Sequence, residues 1–288
     1  MTSRHASLSA VRIDPHRGVT GPAGFVAAAT AAGIKPAGDL DLALVVNTGP
    51  RDDAAGVFTT GEDPAAPVLW TRQVVSHRRL RAVVLNSGVA NAGTGPAGFQ
   101  DVHATAERAA RALGCGAVDV AVCSTGVAGQ RLPMAAVLSG VDTLAGGLSS
   151  GAATDHAVAT AALTTDARRK QAWAGHPGGW SVGGFVKGTG VLGPRLATTI
   201  AVLTTDAVVT GDAVHEALRA VTATSFDRLA VDGAPATNDT VLLMSSGGSS
   251  VEPDLADFLR VVGAVGDDLV RQVVVDTALP RDETGDES

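Results

Sequence analysis

Short Val- and Leu-rich runs alternate along this chain with longer Ala-rich stretches of helical spacing, and that alternation admits few architectures. "DLALVVN" (41–47), "APVLWTRQVV" (66–75), "LRAVVLN" (80–86) and "AVDVAVCSTG" (117–126) read as strands, the last running into a turn. "FQDVHATAERAARAL" (99–113) reads as a helix closed by Gly114, and two further helices are expected near 133–147 and 153–162. "WSVGGFVKG" (180–188) and "LATTIAVLTTDA" (196–207) read as paired strands. A helix from Thr210, a strand over "DTVLLMSS" (239–246) and a last helix from Pro253 complete the order, ahead of a charged tail expected to be disordered. Helix clusters between partly antiparallel strands predict an α+β layered fold, one compact unit over 1–288.

Composition narrows what such a unit can do. Hydrophobic residues are 45% of the 288, enough to fill a core, whereas aromatics are 3% and the net charge is −7. That balance offers neither a basic stripe nor a stacking platform, so no nucleic-acid partner is expected. The N-terminus lacks the apolar core of a signal peptide, and no apolar run is long enough for a bilayer, so no membrane partner is expected either. Cys115 and Cys123 form no metal pattern, and the seven histidines show no paired-ligand spacing. Reduced thiols in a cytoplasmic protein without a metal or resident cofactor are the expectation.

"KGTGVLGPRLATTIAVLTTDA" (187–207) does not read as ordinary core. Lys187, one of three lysines, stands in a Gly-rich apolar strand, where a charge is costly unless it meets an anion. A Gly193-Pro194 turn then precedes Ala197-Thr198. A threonine hydroxyl becomes a useful nucleophile when it is the first residue of a chain, because its own α-amino group serves as base. That group has a pKa of about 7.7–8.0 and works near neutral pH. The hydroxyl can create such a terminus by attacking the preceding carbonyl, and the small Ala197 leaves it room. On this reading the bond between Ala197 and Thr198 is a self-cleavage site. Thr in a Val/Ile/Leu strand is also ordinary β-propensity, so this stretch alone decides nothing. "CSTGVAG" (123–129) leaves its strand through a turn that can aim a backbone N–H and a hydroxyl at one point, as an oxyanion hole requires. "LTTD" (163–166) adds hydroxyls and a carboxylate at a helix end.

Six ordered blocks carry a resemblance to a known family: "AGVFTT" (55–60), "VVLNSGVANAGTGPAG" (83–98), "STGVAGQRLPM" (124–134), "LTTDARRK" (163–170), 183–207 and "SFDRLAVDGAPATNDTVLLMSSG" (225–247). In these the chain resembles the ornithine acetyltransferases, the bifunctional glutamate N-acetyltransferases of arginine biosynthesis. The resemblance implies a layered αββα sandwich and self-cleavage into 1–197 and 198–288. It implies transfer of acetyl from N-acetylornithine to glutamate through an acetyl-Thr198 intermediate, acetyl-CoA also serving some members as donor. It places Thr125 and Gly126 in the oxyanion hole and Thr164, Lys187 and Thr198 at the substrate. Paired fragments in an α2β2 heterotetramer are likewise implied.

The resemblance stops after Gln272. Ala278 stands where the family has a substrate-contacting glutamate, and the further C-terminal region that supplies an Asn and a Thr is absent from this chain. A truncated product, a split protein completed by another chain and an inactive relic therefore stay open. Two other classes also stay open: an amidase or aminopeptidase using the same self-generated threonine, and a nucleotide-binding module. The second rests on Gly93, Gly95 and Gly98, which spell G-x-G-x-x-G, with Asp119 following.

Overall fold

The computed structural model describes residues 11–188, 198–229 and 236–278. The first half of the chain holds β1 (Ile13–Asp14), β2 (Phe25–Thr30), β3 (Leu42–Asn47), β4 (Asp53–Phe58), α1 (Ala66–Val75), β5 (Ala82–Asn86), α2 (Gly95–Leu113) and β6 (Val120–Ser124). The second holds α3 (Met134–Gly146), α4 (Ala152–Ala161), β7 (Lys170–His176), β8 (Trp180–Lys187), β9 (Ile200–Thr205), α5 (Gly211–Thr224), β10 (Thr240–Ser245) and α6 (Leu255–Thr277). The Gly193-Pro194 turn, Ala197 and the tail 281–288 lie outside the described residues.

Two sheets form the centre. One has the order β1-β7-β8-β9-β10-β4 and the other β2-β3-β5-β6. Helices α1 to α4 pack on the second sheet, and α5 and α6 cover the outer face of the first, giving αββα layers. The period-2 alternation of β9 shows why. Ile200 and Val202 face the other sheet and join its Leu44, Val84 and Val122, whereas Ala201 and Leu203 face α5 and α6 with Leu218, Val262 and Val265. Every residue of β9 is buried, which explains its nearly unbroken apolar run.

The expected pairing of 180–188 with 196–207 is present: β8 and β9 run antiparallel from Val182↔Thr205 to Lys187↔Ile200. Gly114 caps α2 in the left-handed region at φ 68°. Thr210 caps α5 through its hydroxyl, which accepts the Ala213 N–H at 3.3 Å. The last helix starts at Leu255 rather than Pro253, because the Asp254 side chain is its cap and takes the Ala256 N–H.

One element differs in kind. Residues 66–75, read as a strand from Val, Leu and Trp, form α1. Pro67 in its first turn cannot donate to a sheet ladder but suits a helix start. The helix also has work at the sheet edge. Trp70 Nε1 donates to the Val120 carbonyl at 2.9 Å, and the Thr71 hydroxyl gives to the Val122 carbonyl and accepts the Val122 N–H. α1 thus satisfies the outer edge of β6, and tertiary burial overrides local β-propensity. Strands β2 and β7, rich in Ala and Gly, carry too weak an alternation to be read from sequence.

Candidate active site

The site is built at the C-terminal end of β8 and the N-terminal ends of β9 and β10, and the turns after β5 and β6 are linked to it through the end of α4. β8 delivers Lys187 as its last residue, and its side chain is only 2% exposed. Lys187 Nζ donates to the Thr198 carbonyl at 3.1 Å and stands 4.0 Å from Asp166 Oδ2. The buried cation therefore has its anion in Asp166, as its setting demanded. An ammonium carries three donors, and among the described residues only the Thr198 carbonyl lies within hydrogen-bond reach.

Asp166 is held from several sides. Its carboxylate takes the Gly188 N–H at 2.8 Å, the Thr164 N–H at 3.2 Å and Lys170 Nζ at 2.8 Å. Burial pushes the Asp166 carboxyl up, but Lys187, Lys170 and the Gly188 N–H outweigh it and leave it below the ordinary carboxylate range. Burial pulls the Lys187 ammonium down, against the attraction of Asp166. Behind them Lys170 also meets Asp276 at 2.7 Å, tying the end of α6 to the site. Lys170 is 1% exposed and Asp276 2%. Removing Lys170 leaves the buried Asp276 without its cation and Asp166 with Lys187 alone. Lys170→Met is expected to cost about 3–5 kcal/mol of stability, read from the shift in urea midpoint. Asp276 lies two residues before Ala278, which caps α6 and is exposed, so the chain offers no acidic group at 278.

On the other flank Asp239 leads into β10. Its Oδ1 accepts the Thr199 N–H at 2.7 Å, and its carbonyl accepts the Thr59 N–H. The peptide group that follows Thr198 is thus held twice, by Lys187 at its carbonyl and by Asp239 at its N–H. Burial raises the Asp239 pKa to about 6, with the Thr199 and Ala236 N–H groups and Lys187 only partly offsetting it. A carboxyl raised in the folded state binds its proton more tightly there. Its contribution is fully present below the usual value near 3.8 and is lost as pH rises through about 6. The stability of the parent relative to Asp239→Asn should fall by about 2–3 kcal/mol between pH 4 and pH 7, measured by denaturant unfolding at each pH. Asp166, shifted down, acts in the opposite sense, and its contribution is lost on acidification.

Thr125 and Gly126 follow β6. The Thr125 N–H is taken by the Asn86 carbonyl at 3.0 Å, so what Thr125 can still offer is its hydroxyl. The Gly126 N–H meets no acceptor among the described residues. Gly126 has φ 128°, and a Cβ there would lie inside the Gly88 carbonyl and 2.7 Å from the Val89 nitrogen. Only glycine lets these two turns cross. Asn86 braces the crossing, giving its amide to the Val89 carbonyl and accepting the Ser124 hydroxyl at 2.6 Å. Ser87 donates to the Ala161 carbonyl at 2.5 Å, joining this turn to the end of α4 and hence to Thr164–Asp166. Lys35, whose Cγ borders Gly88, lies within the field of Asp166. Of the residues expected at the site, Lys187, Thr198 and Thr164 meet around Asp166, Thr125 and Gly126 adjoin them only through Gly88 and Ser87, and Ala197 lies outside the described residues. Sequence reasoning missed Asp239 and the roles of Lys170 and Asp276. The only local signal for Asp239 was a lone acid opening a strand.

The nucleotide-binding reading fails on the same ground. Between β5 and α2 the glycine loop satisfies itself, with Asn91 Nδ2 on the Gly98 carbonyl and the Thr94 hydroxyl on Asn91. Asp119, the acid that follows the glycines, accepts the Gly116 N–H in its own turn.

The αββα layering places the chain in a fold class that other solved proteins share. The chain shares this architecture with the l-aminopeptidase d-Ala-esterase/amidase of Ochrobactrum anthropi, a variant of the Ntn-hydrolase fold, at TM-score 0.56 over 91% of this chain and 86% of that one; the identity is 12%. The chain belongs to the ArgJ family, whose model matches residues 26–278. It is 54% identical to the arginine biosynthesis bifunctional protein ArgJ of Mycolicibacterium paratuberculosis, over 94% of this chain and 68% of that protein. It is also 54% identical to the solved ornithine acetyltransferase of Mycobacterium tuberculosis complexed with ornithine, at TM-score 0.62 over 64% of this chain and 98% of that one. The chain spans about two thirds of the length of the curated relatives it matches.

Proposed function

We propose that this chain cuts itself before Thr198 and uses the freed threonine to carry an acetyl group from N-acetylornithine to glutamate, in arginine biosynthesis in the cytoplasm. The observation that carries the reading is the double grip on Thr198, with the Lys187 ammonium on its carbonyl and the Asp239 carboxylate on the following N–H. A backbone held this way fixes the hydroxyl for attack.

The chemistry follows from the groups present. The Thr198 α-amino group takes the hydroxyl proton as Oγ1 attacks the acetyl carbonyl. The oxygen of the tetrahedral adduct gains its negative charge beside the Gly126 N–H and the Thr125 hydroxyl. Collapse expels ornithine, whose amine takes the proton, and leaves acetyl on Thr198. The glutamate amine then attacks this ester, the proton returns to Thr198 and N-acetylglutamate departs. The unspent Lys187 donors suit the carboxylate common to donor and acceptor, and Thr164 adds a hydroxyl beside them. No bound cofactor is needed, and acetyl-CoA serves as an alternative donor.

Cleavage would fall between β8 and β9, which remain paired from Val182↔Thr205 to Lys187↔Ile200. The fragments 1–197 and 198–288 therefore stay together, and two such pairs form the proposed α2β2 assembly. The test supplies N-acetylornithine carrying a labelled acetyl group, with and without glutamate. Label in N-acetylglutamate, absent with Thr198→Ala, supports the reading. Label released as free acetate regardless of glutamate points to the hydrolase class instead.

A further inference from the structure

At the far edge of the six-stranded sheet, β4 is flanked by α1 and α5, and between them lies a groove of about 410 Å³. Arg72 and Arg78 enter it from α1 and the turn after it, and His215 and Arg219 enter from α5. Three arginines lining one groove of a chain with net charge −7 make a local positive field that favours an anion there. The chain itself supplies little. Arg78 lies 3.5 Å from Asp212, whose side chain is 93% exposed, and Arg219 has no carboxylate partner among the described residues. Arg72 gives one N–H to the Thr59 carbonyl at 3.1 Å and lies over the Phe58 ring. His215 Nδ1 is buried without a partner, and burial together with Arg78 and Arg219 pulls the imidazole pKa down, so it does not add a fourth charge at neutral pH.

The strand beneath adds donors. Thr59 gives its N–H to Asp239, and Ala54 gives its N–H outward to the Arg78 carbonyl. Alternation along an antiparallel strand then turns the N–H groups of Gly56 and Phe58 outward as well, and neither meets an acceptor among the described residues. Guanidinium forks and unpaired N–H groups facing one space match the several oxygens of a phosphate better than a single carboxylate.

We propose that this groove is a binding site for a phosphate-bearing small molecule. Its inner end adjoins the nucleophile: Arg72 holds the Thr59 carbonyl, the Thr59 N–H bonds Asp239, and Asp239 holds Thr199. The site does not depend on acetyl transfer and would stand if that reading failed.

Calorimetric titration of the purified chain with inorganic phosphate, ADP and coenzyme A tests it, with Arg219→Ala and Arg78→Ala/Arg219→Ala as variants. At least one probe should bind at a single site, weaken at least about tenfold in Arg219→Ala, and weaken further with added salt. Equal binding of inorganic phosphate and ADP assigns the site to free phosphate. Binding of ADP or coenzyme A alone assigns it to a nucleotide-bearing ligand. Arg219 is exposed on α5, so its variant keeps the fold, checked by an unchanged melting temperature. Binding by none of the three probes, or binding unchanged in the double variant, overturns the proposal.

Discussion

Thr198→Ala is expected to yield one uncut polypeptide and to lose acetyl transfer altogether. Removing a covalent nucleophile costs on the order of 10⁶ in rate where it has been dissected, and here it also removes the agent that creates the working α-amino group. The substitution leaves the frame intact. The contacts that hold residue 198 run through its carbonyl and through the next N–H, which an alanine supplies equally well. The variant should therefore melt near the parent and still bind ornithine, with its loss confined to cleavage and turnover. Thr198→Ser keeps a hydroxyl but drops the methyl that restricts its rotamer, and it should cut more slowly rather than not at all. Cleavage of Thr198→Ala at the same bond would show that another group does the cutting.

Gly126→Ala is the second large effect, and it acts on fold and rate together. The added methyl would occupy the Gly88 carbonyl, and φ 128° is open only to glycine. Either the turn after β6 moves away from Gly88 or the variant loses about 3 kcal/mol or more. If the turn moves, the Gly126 N–H leaves its place in the proposed oxyanion hole, at an expected cost of about 10²–10³ in turnover. Gly129→Ala is the control. It also has positive φ, 78°, but its new Cβ meets nothing within 4 Å, so it should lose about 1–2 kcal/mol of stability and keep its rate. Equal turnover in the two folded variants would remove Gly126 from the oxyanion hole.

Much of this was legible in the sequence because the informative residues are individually costly. A lysine in a Gly-rich apolar strand demands a partner, and Lys187 has one in Asp166. A Ser-Thr-Gly exit from a strand needs a backbone that other residues refuse, and Gly126 has it. What sequence could not supply is which distant groups meet. Asp239 lies 40 positions from Thr199, and Asp276 lies over a hundred from Lys170; no local period announces either pairing. The strand reading of 66–75 failed for a related reason. Trp70 and Thr71 are committed to the edge of β6, a partner that lies some 50 residues away and leaves no trace in their own window. Likewise β2 and β7 belong to sheets through their neighbours, their Ala and Gly carrying almost no intrinsic preference.

The two grips on Thr198 have unlike electrostatics. Asp166 and Lys187 form a charged pair inside the fold, and Lys170 and Asp276 extend it to the end of α6. Asp239, with its pKa raised to about 6, is the group whose charge changes nearest to neutrality. Acidification from pH 7 to pH 5 therefore protonates the grip on Thr199 while leaving the one on the Thr198 carbonyl unaltered. The two contributions separate in the pH profile of Asp239→Asn.

The most direct test is the denatured mass of the purified chain after brief exposure to N-acetylornithine without glutamate. Two polypeptides are expected, 1–197 and 198–288, the second carrying one acetyl group that is lost when glutamate is added. A single intact chain, or two fragments with the acetyl group on neither, would contradict it.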